Sequence, residues 1–113
     1  MELSGAGLLV RIFIGEMDKC EGKPLYKQIV NEARQAGIAG ATVLRGIMGY
    51  GANSKVKTTS ILRLSEDLPL VVEIVDTEEK INDFLPTLDR LMDGGLITLE
   101  KVRILKYSHH QQV

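Results

Sequence analysis

With 113 residues, 44% of them hydrophobic and 26% charged, the chain has the size and composition of one globular domain. Its 14 basic and 15 acidic residues give a formal net charge of -1, which excludes both disorder by self-repulsion and the basic field that non-specific nucleic-acid binding requires. The absence of Trp, with only 3 Tyr and 2 Phe, leaves few rings on which single-stranded bases could stack.

Cys20 has no cysteine to pair with, and a lone thiol fits a reducing compartment. The start Met1-Glu2-Leu3 is acidic, Arg11 interrupts the first apolar run, and no small-residue cleavage site follows, so no signal peptide is read. No apolar stretch approaches the ~20 residues that span a bilayer. The expectation is a soluble, cytoplasmic domain over residues 1–113, without direct membrane insertion and with 108–113 (SHHQQV) as a polar tail.

Leu8 to Ile14 (LLVRIFI) is a β-branched run ended by Gly15 and predicts the first strand. After the polar connection GEMDKCEG, Pro24 suits the start of a helix whose Tyr26, Ile29, Val30 and Ala33 share one face. Gly37 closes it as a left-handed cap. Ala39 to Arg45 predicts the second strand. The segment 46–59 has glycines at 46, 49 and 51 and no apolar period, so it reads as a long loop. Ser60 to Leu64 and Leu70 to Val75 read as one strand with a bend or bulge at Ser65-Glu66-Asp67 and Pro69. Asp76-Thr77-Glu78-Glu79 has capping-box form. The helix that follows aligns Ile81, Phe84, Leu85, Leu88 and Met92, with a kink expected at Pro86. Gly94-Gly95 ends it, and Leu96 to Tyr107 is the last strand. The order β-α-β-loop-β-α-β predicts an α+β, ferredoxin-like fold: a four-stranded antiparallel sheet, both helices on one face, and a long loop between strands two and three.

Alternation divides each strand into two faces. The apolar sets Val10, Ile12, Ile14; Leu70, Val72, Ile74; and Val102, Ile104 are expected to face the helices. The opposite face then carries Leu9, Phe13, Val71, Val75 and Leu105 around Arg11, Glu73 and Arg103. Such a face is too apolar for open water, and its charges need partners within or between chains. A closed ring of copies would cover it.

For chemistry, VLRGIMGYG (Val43 to Gly51) is the informative stretch. Glycines just after a strand let backbone amides turn toward an anion. No Gly-Lys-Ser/Thr follows, so it is not a P-loop, and no helix follows, so it is not a dinucleotide fingerprint. A structureless loop of this length in a small domain is usually functional. Gly94-Gly95 is a second candidate, with a helix C-cap as its structural alternative. His109 and His110 are adjacent in the tail, and Cys20 has no ligand partners at metal spacing. Glu2, Glu16 and Asp18 read as solvated loop charges. Nothing nominates a nucleophile or general base, so no enzyme is expected.

Together, VLRGIMGYG, DLPLVVEIVD (Asp67 to Asp76) and GGLITLEKV (Gly94 to Val102) resemble the PII-like superfamily of small trimeric signalling proteins. Within it the chain is most similar to an uncharacterised prokaryotic branch, with coverage from Leu8 to about Tyr107. The resemblance implies a homotrimer that binds an adenine nucleotide (AMP, ADP or ATP) in clefts between subunits. It also implies a mobile loop acting on a protein target such as a membrane transporter or an enzyme. The implied contacts are Gly46, Gly49, Tyr50, Gly51 and Asn53 at the loop, Gly94, Gly95 and Lys101 after the second helix, and the cations Arg45 and Lys55. PII proteins carry an arginine and a glutamine where this chain has Ala52 and Asn53, and Gly-Lys where it has Gly95-Leu96. The thinned phosphate clamp points to a ligand with less charge than a triphosphate. The same architecture admits a CutA-like trimer responsive to divalent metal, against which the missing Cys/His cluster argues, or a structural trimer without ligand. An acylphosphatase-like hydrolase would need a glycine-rich cradle after the first strand, which GEMDKCEG does not supply. An RNA-recognition module would need aromatics where Arg11, Val71 and Arg103 stand.

Overall fold

The computed structural model describes residues 3–51, 57–58 and 67–108. Its elements in chain order are β1 (Leu3–Gly15), β2 (Lys19–Cys20), β3 (Lys23–Pro24), α1 (Leu25–Gln35), β4 (Gly40–Arg45), β5 (Met48–Gly49), β6 (Lys57–Thr58), β7 (Pro69–Asp76), α2 (Glu78–Leu91) and β8 (Leu96–Tyr107). The main sheet runs β4-β7-β1-β8, antiparallel throughout, so the expected ferredoxin-like α+β fold is the one adopted.

The core follows from strict alternation. Leu8, Val10, Ile12 and Ile14 of β1 and Leu70, Val72 and Ile74 of β7 are buried on the helix side. Leu25, Ile29 and Ala33 of α1 and Ile81, Phe84, Leu88 and Leu91 of α2 close over them. Each fully buried Ile, Val or Leu contributes about 1.5–3 kcal/mol relative to exposure. α1 lies against β4 and β7, and α2 against β1 and β7. α2 runs without a break through Pro86.

Local chemistry sets the boundaries. Gly37 adopts φ +77 after α1, its N–H donates to the Arg34 carbonyl, and the Ile38 N–H reaches the Ala33 carbonyl at 3.0 Å. These two bonds form a Schellman cap. The polar connection after β1 holds the small β2–β3 hairpin, whose turn residues Glu21 and Gly22 both take positive φ, as a type I′ turn requires.

Three expectations need correction. The cap of α2 is Thr77, whose side chain accepts the Lys80 N–H at 3.3 Å, and not Asp76. The Asp76 carboxylate is buried and engaged elsewhere: Oδ2 accepts the Ala39 N–H at 2.8 Å and Oδ1 the Thr77 N–H at 2.6 Å. The segment 46–59 is not wholly a loop, because Met48 pairs with Thr58 and Gly49 with Lys57 to close its base. The expected strand at Ser60 to Leu64 lies outside the described residues, as do His109 and His110.

The third correction concerns β8. Val102 pairs with Gly7 and Ile104 with Gly5, which places them on the face away from the helices, whereas Arg103 pairs with Ala6 on the helix side. Gly7 is the reason: a Cβ there would lie 2.7 Å from the Ile104 side chain, so the Ile104 methyl occupies the room that glycine leaves. The face opposite the helices therefore has three rows across β4, β7, β1 and β8: Gly40–Val75–Leu9–Glu100, Thr42–Glu73–Arg11–Thr98 and Leu44–Val71–Phe13–Leu96. Arg11 Nε donates to Glu73 Oε2 at 2.9 Å and its Nη1 to Glu100. These hydrogen bonds, with Glu73 first, hold the guanidinium pKa above its ordinary value. Arg103, the expected third member, is replaced by Glu100.

Asp76→Ala removes the acceptor for two N–H groups and is expected to lower the unfolding free energy by about 2–3 kcal/mol. Thr77→Ala is expected to cost about 1 kcal/mol. Urea denaturation of the two variants checks both the magnitudes and their order.

Candidate functional site

Where β1 and β7 meet the glycine-rich segment, the sheet opens into a cavity of about 250 Å³. Its floor is the sheet end itself: Phe13, Ile14 and Gly15 of β1 and Pro69, Leu70 and Val71 of β7. One wall is the root of the segment after β4, with Gly46, Met48, Gly49, Tyr50 and Gly51. Gly95, between α2 and β8, supplies another, and Asp18 a polar corner.

Backbone bonds fix this arrangement. The Gly46 N–H donates to the Pro69 carbonyl at 2.7 Å, which anchors the root beside β7. The Glu16 N–H donates to the Leu68 carbonyl at 2.8 Å, and the Met17 N–H to Asp67 Oδ1 at 2.9 Å, so the chain leaving β1 is tied to the entry of β7. Gly95 sits at φ +110, and a Cβ there would meet the Phe13 carbonyl oxygen and the Met92 methyl, each at 2.9 Å. Only glycine fits that turn without displacing the end of β1.

The structure gathers some of the sequence candidates and separates others. Gly46, Gly49, Tyr50, Gly51 and Gly95 line the cavity. Gly94 lies around an adjoining hollow with Asp18, Lys19, Leu25 and Asp93. Arg45 is in an ion pair with Glu16 and is not on the cavity wall. Lys101 pairs with Leu8, whereas the cavity lies near the Phe13–Leu96 pair, about 16 Å away along β8 at ~3.3 Å per residue. Asn53 and Lys55 lie outside the described residues.

Among the described residues the cavity wall is apolar and glycine-rich and carries no lysine or arginine. The pattern missed Asp18, which had read as a solvated charge, together with Phe13, Ile14 and Gly15 at the strand end. Tyr50 and Met48 are largely exposed although they line the cavity, with relative exposures of 76% and 66%, so the mouth is open on that side. Such a wall suits a flat, neutral ring system rather than a polyanion. No group of three potential metal-ligating side chains occurs among the described residues, and none of their helices is long and apolar enough to cross a membrane.

The DUF190 family model (Uncharacterized ACR, COG1993) matches residues 7–104. A UPF0166 protein of Aquifex aeolicus is 44% identical over 97 residues, covering 86% of this chain and 91% of the relative. Another from Methanocaldococcus jannaschii is 41% identical over 99 residues, covering 87% and 91%. Among solved structures, a PII-like signaling protein of Thermus thermophilus superposes with a TM-score of 0.65 at 19% identity, covering 90% of this chain and 92% of that one. CPII of Thiomonas intermedia, bound to ADP and bicarbonate, gives 0.59 at 13% identity, covering 90% and 91%. CutA1 of Oryza sativa gives 0.57 at 12% identity, covering 89% and 82%. These structures share the fold.

Gly95→Ala places a β-carbon in the left-handed region and against the Phe13 carbonyl, and is expected to cost about 1–3 kcal/mol. The loss is expected as a lowered midpoint in thermal melts followed by circular dichroism. Gly51→Ala, where nothing lies within 4 Å of the added carbon, is expected to leave the midpoint within a degree or two of wild type, roughly the span of a neutral surface change.

Proposed function

The chain belongs to the DUF190 family, and on that premise we propose that it is a PII-like signal-transduction regulator that binds an adenine nucleotide and acts, through the segment 46–59, on a partner protein. The observation that carries this reading is the cavity at the root of that segment, whose apolar and glycine walls suit a nucleobase. ADP in the CPII structure of the same fold supports it. With no cation on the described wall, the phosphates extend out of the cavity, and AMP or ADP is favoured over ATP.

The pocket opens beside the sheet face that the helices leave bare, and Phe13 and Val71 belong to both. We place the other half of the site on a second subunit that covers this face in a homotrimer. Leu44 and Leu96, exposed at 49% and 53% at the two ends of one row, are the apolar surface such an assembly would bury. The role is binding rather than catalysis: Asp18 and Tyr50 are the ionisable side chains on the described wall, and no base stands beside a nucleophile there. Ligand binding at the cavity switches the segment 46–59 between docking on the target and releasing it.

Titration calorimetry with AMP, ADP, ATP and cyclic AMP tests the ligand. AMP or ADP is expected to bind, and more tightly than ATP; no heat with any of the four removes the reading. Sedimentation is expected to give three times the 12.5 kDa chain mass. Leu9→Asp, which places a charge between Val75 and Glu100 on the bare face, is expected to dissociate the assembly and abolish nucleotide binding together. A monomeric wild type, or a monomeric variant that still binds, would separate the site from the assembly.

A further inference from the structure

Asp18 is the one acidic side chain among the described residues that line the cavity. Its backbone is held on both sides: its N–H donates to the Gly15 carbonyl at 3.1 Å, and its carbonyl accepts the Leu25 N–H at 2.8 Å. Its Oδ2 accepts the Gly15 N–H at 2.9 Å. The carboxylate is thus fixed across a tight turn at the end of β1, with little rotamer freedom left to lose on binding a ligand. Its other oxygen, Oδ1, has no hydrogen-bond or ion-pair partner among the described residues. Lys19 and Asp93 lie with it around the adjoining hollow, which Tyr50 and Met48 do not line.

A carboxylate oxygen accepts hydrogen bonds and donates none, so it attracts N–H and O–H groups and repels phosphate. On an otherwise apolar wall it stays unsatisfied unless water or a ligand supplies a donor. We propose that Asp18 determines the specificity of the nucleotide site. Its Oδ1 accepts a hydrogen bond from a neutral donor on the nucleoside half of the ligand, the exocyclic amino group of the base or the ribose 2′-hydroxyl. Its charge orients the phosphates away from this corner. The inference rests on the nucleotide reading above and adds to it which end of the ligand enters the cavity and what is recognised there.

Asp18→Asn is nearly isosteric. Its amide oxygen can keep the Gly15 N–H, while its NH2 replaces the free oxygen and turns an acceptor into a donor. Calorimetry is run on wild type and D18N with ADP, its inosine counterpart IDP, and 2′-deoxy-ADP. ADP is expected to bind D18N at least about tenfold more weakly, the range of a hydrogen bond to a charged group. If the amino group is read, IDP, whose 6-oxo group is an acceptor, is expected to bind D18N at least as tightly as wild type; if the ribose 2′-hydroxyl is read, 2′-deoxy-ADP is expected to bind both proteins alike. Equal ADP binding by D18N, or an equal loss for all three ligands, overturns the role of Asp18 and leaves nucleotide binding standing. Should D18N fold poorly, the wild type still decides: a preference for ADP of about tenfold over one analogue supports the proposal, and equal affinity for all three overturns it. A wild type that binds none of the ligands removes both readings.

Discussion

The arrangement turns on one guanidinium. Arg11 stands at the centre of the sheet face that no helix covers, held by Glu73 from β7 and by Glu100 from β8. Apolar rows lie on either side of it, Val75 and Leu9 on one and Leu44, Val71, Phe13 and Leu96 on the other. The three charges join the two central strands to the edge strand through side chains, in addition to the backbone ladder. Together they carry one net negative charge, so a surface laid over this face must bring a cation or leave a channel for water. A featureless apolar partner would strand that charge, which makes the row a selector of what can dock as well as a brace for the sheet.

The cavity inherits its shape from the same strands. Phe13 and Val71 belong to an apolar row of the bare face and also to the cavity floor. The Phe13 carbonyl is the atom that forbids a side chain at position 95. Whatever shifts β1 against β7 on one side therefore deforms the pocket at its end. A partner laid on the face would therefore act on the pocket without any intervening lever, because face and pocket are two surfaces of the same residues.

How much of this was legible in the sequence depended on whether the deciding contact was local. The last strand has the bounds its pattern gives, Leu96–Tyr107, because glycines precede it and a polar tail follows. Gly37 closes α1 as its position suggests, since a Schellman cap is built within a few residues. The α2 cap is displaced by one residue because Asp76 is drawn to the Ala39 N–H, 37 residues away, which no local pattern encodes. The face of β8 was misread because two apolar residues cannot phase a strand. An edge strand has no obligation to bury them under helices, and the room left at Gly7 settled the matter. Arg45 reads as a ligand cation and Asp18 as a solvated charge because their partners, Glu16 across the sheet end and the Gly15 N–H across a turn, carry no signal in the pattern.

The outer edge of β8 carries a further consequence. It is the terminal strand of the main sheet and runs for 12 residues, with Leu96, Ile97, Leu99 and Leu105 all exposed in the single chain. A long apolar border at the edge of a sheet is a template for recruiting foreign strands. Lys101, Arg103 and Lys106 interrupt it with positive charge, in the manner of the gatekeepers that flank aggregation-prone segments. The border is thus guarded by three cations, and exchanging them for neutral residues would leave the strand open to misassociation from the moment the chain is made.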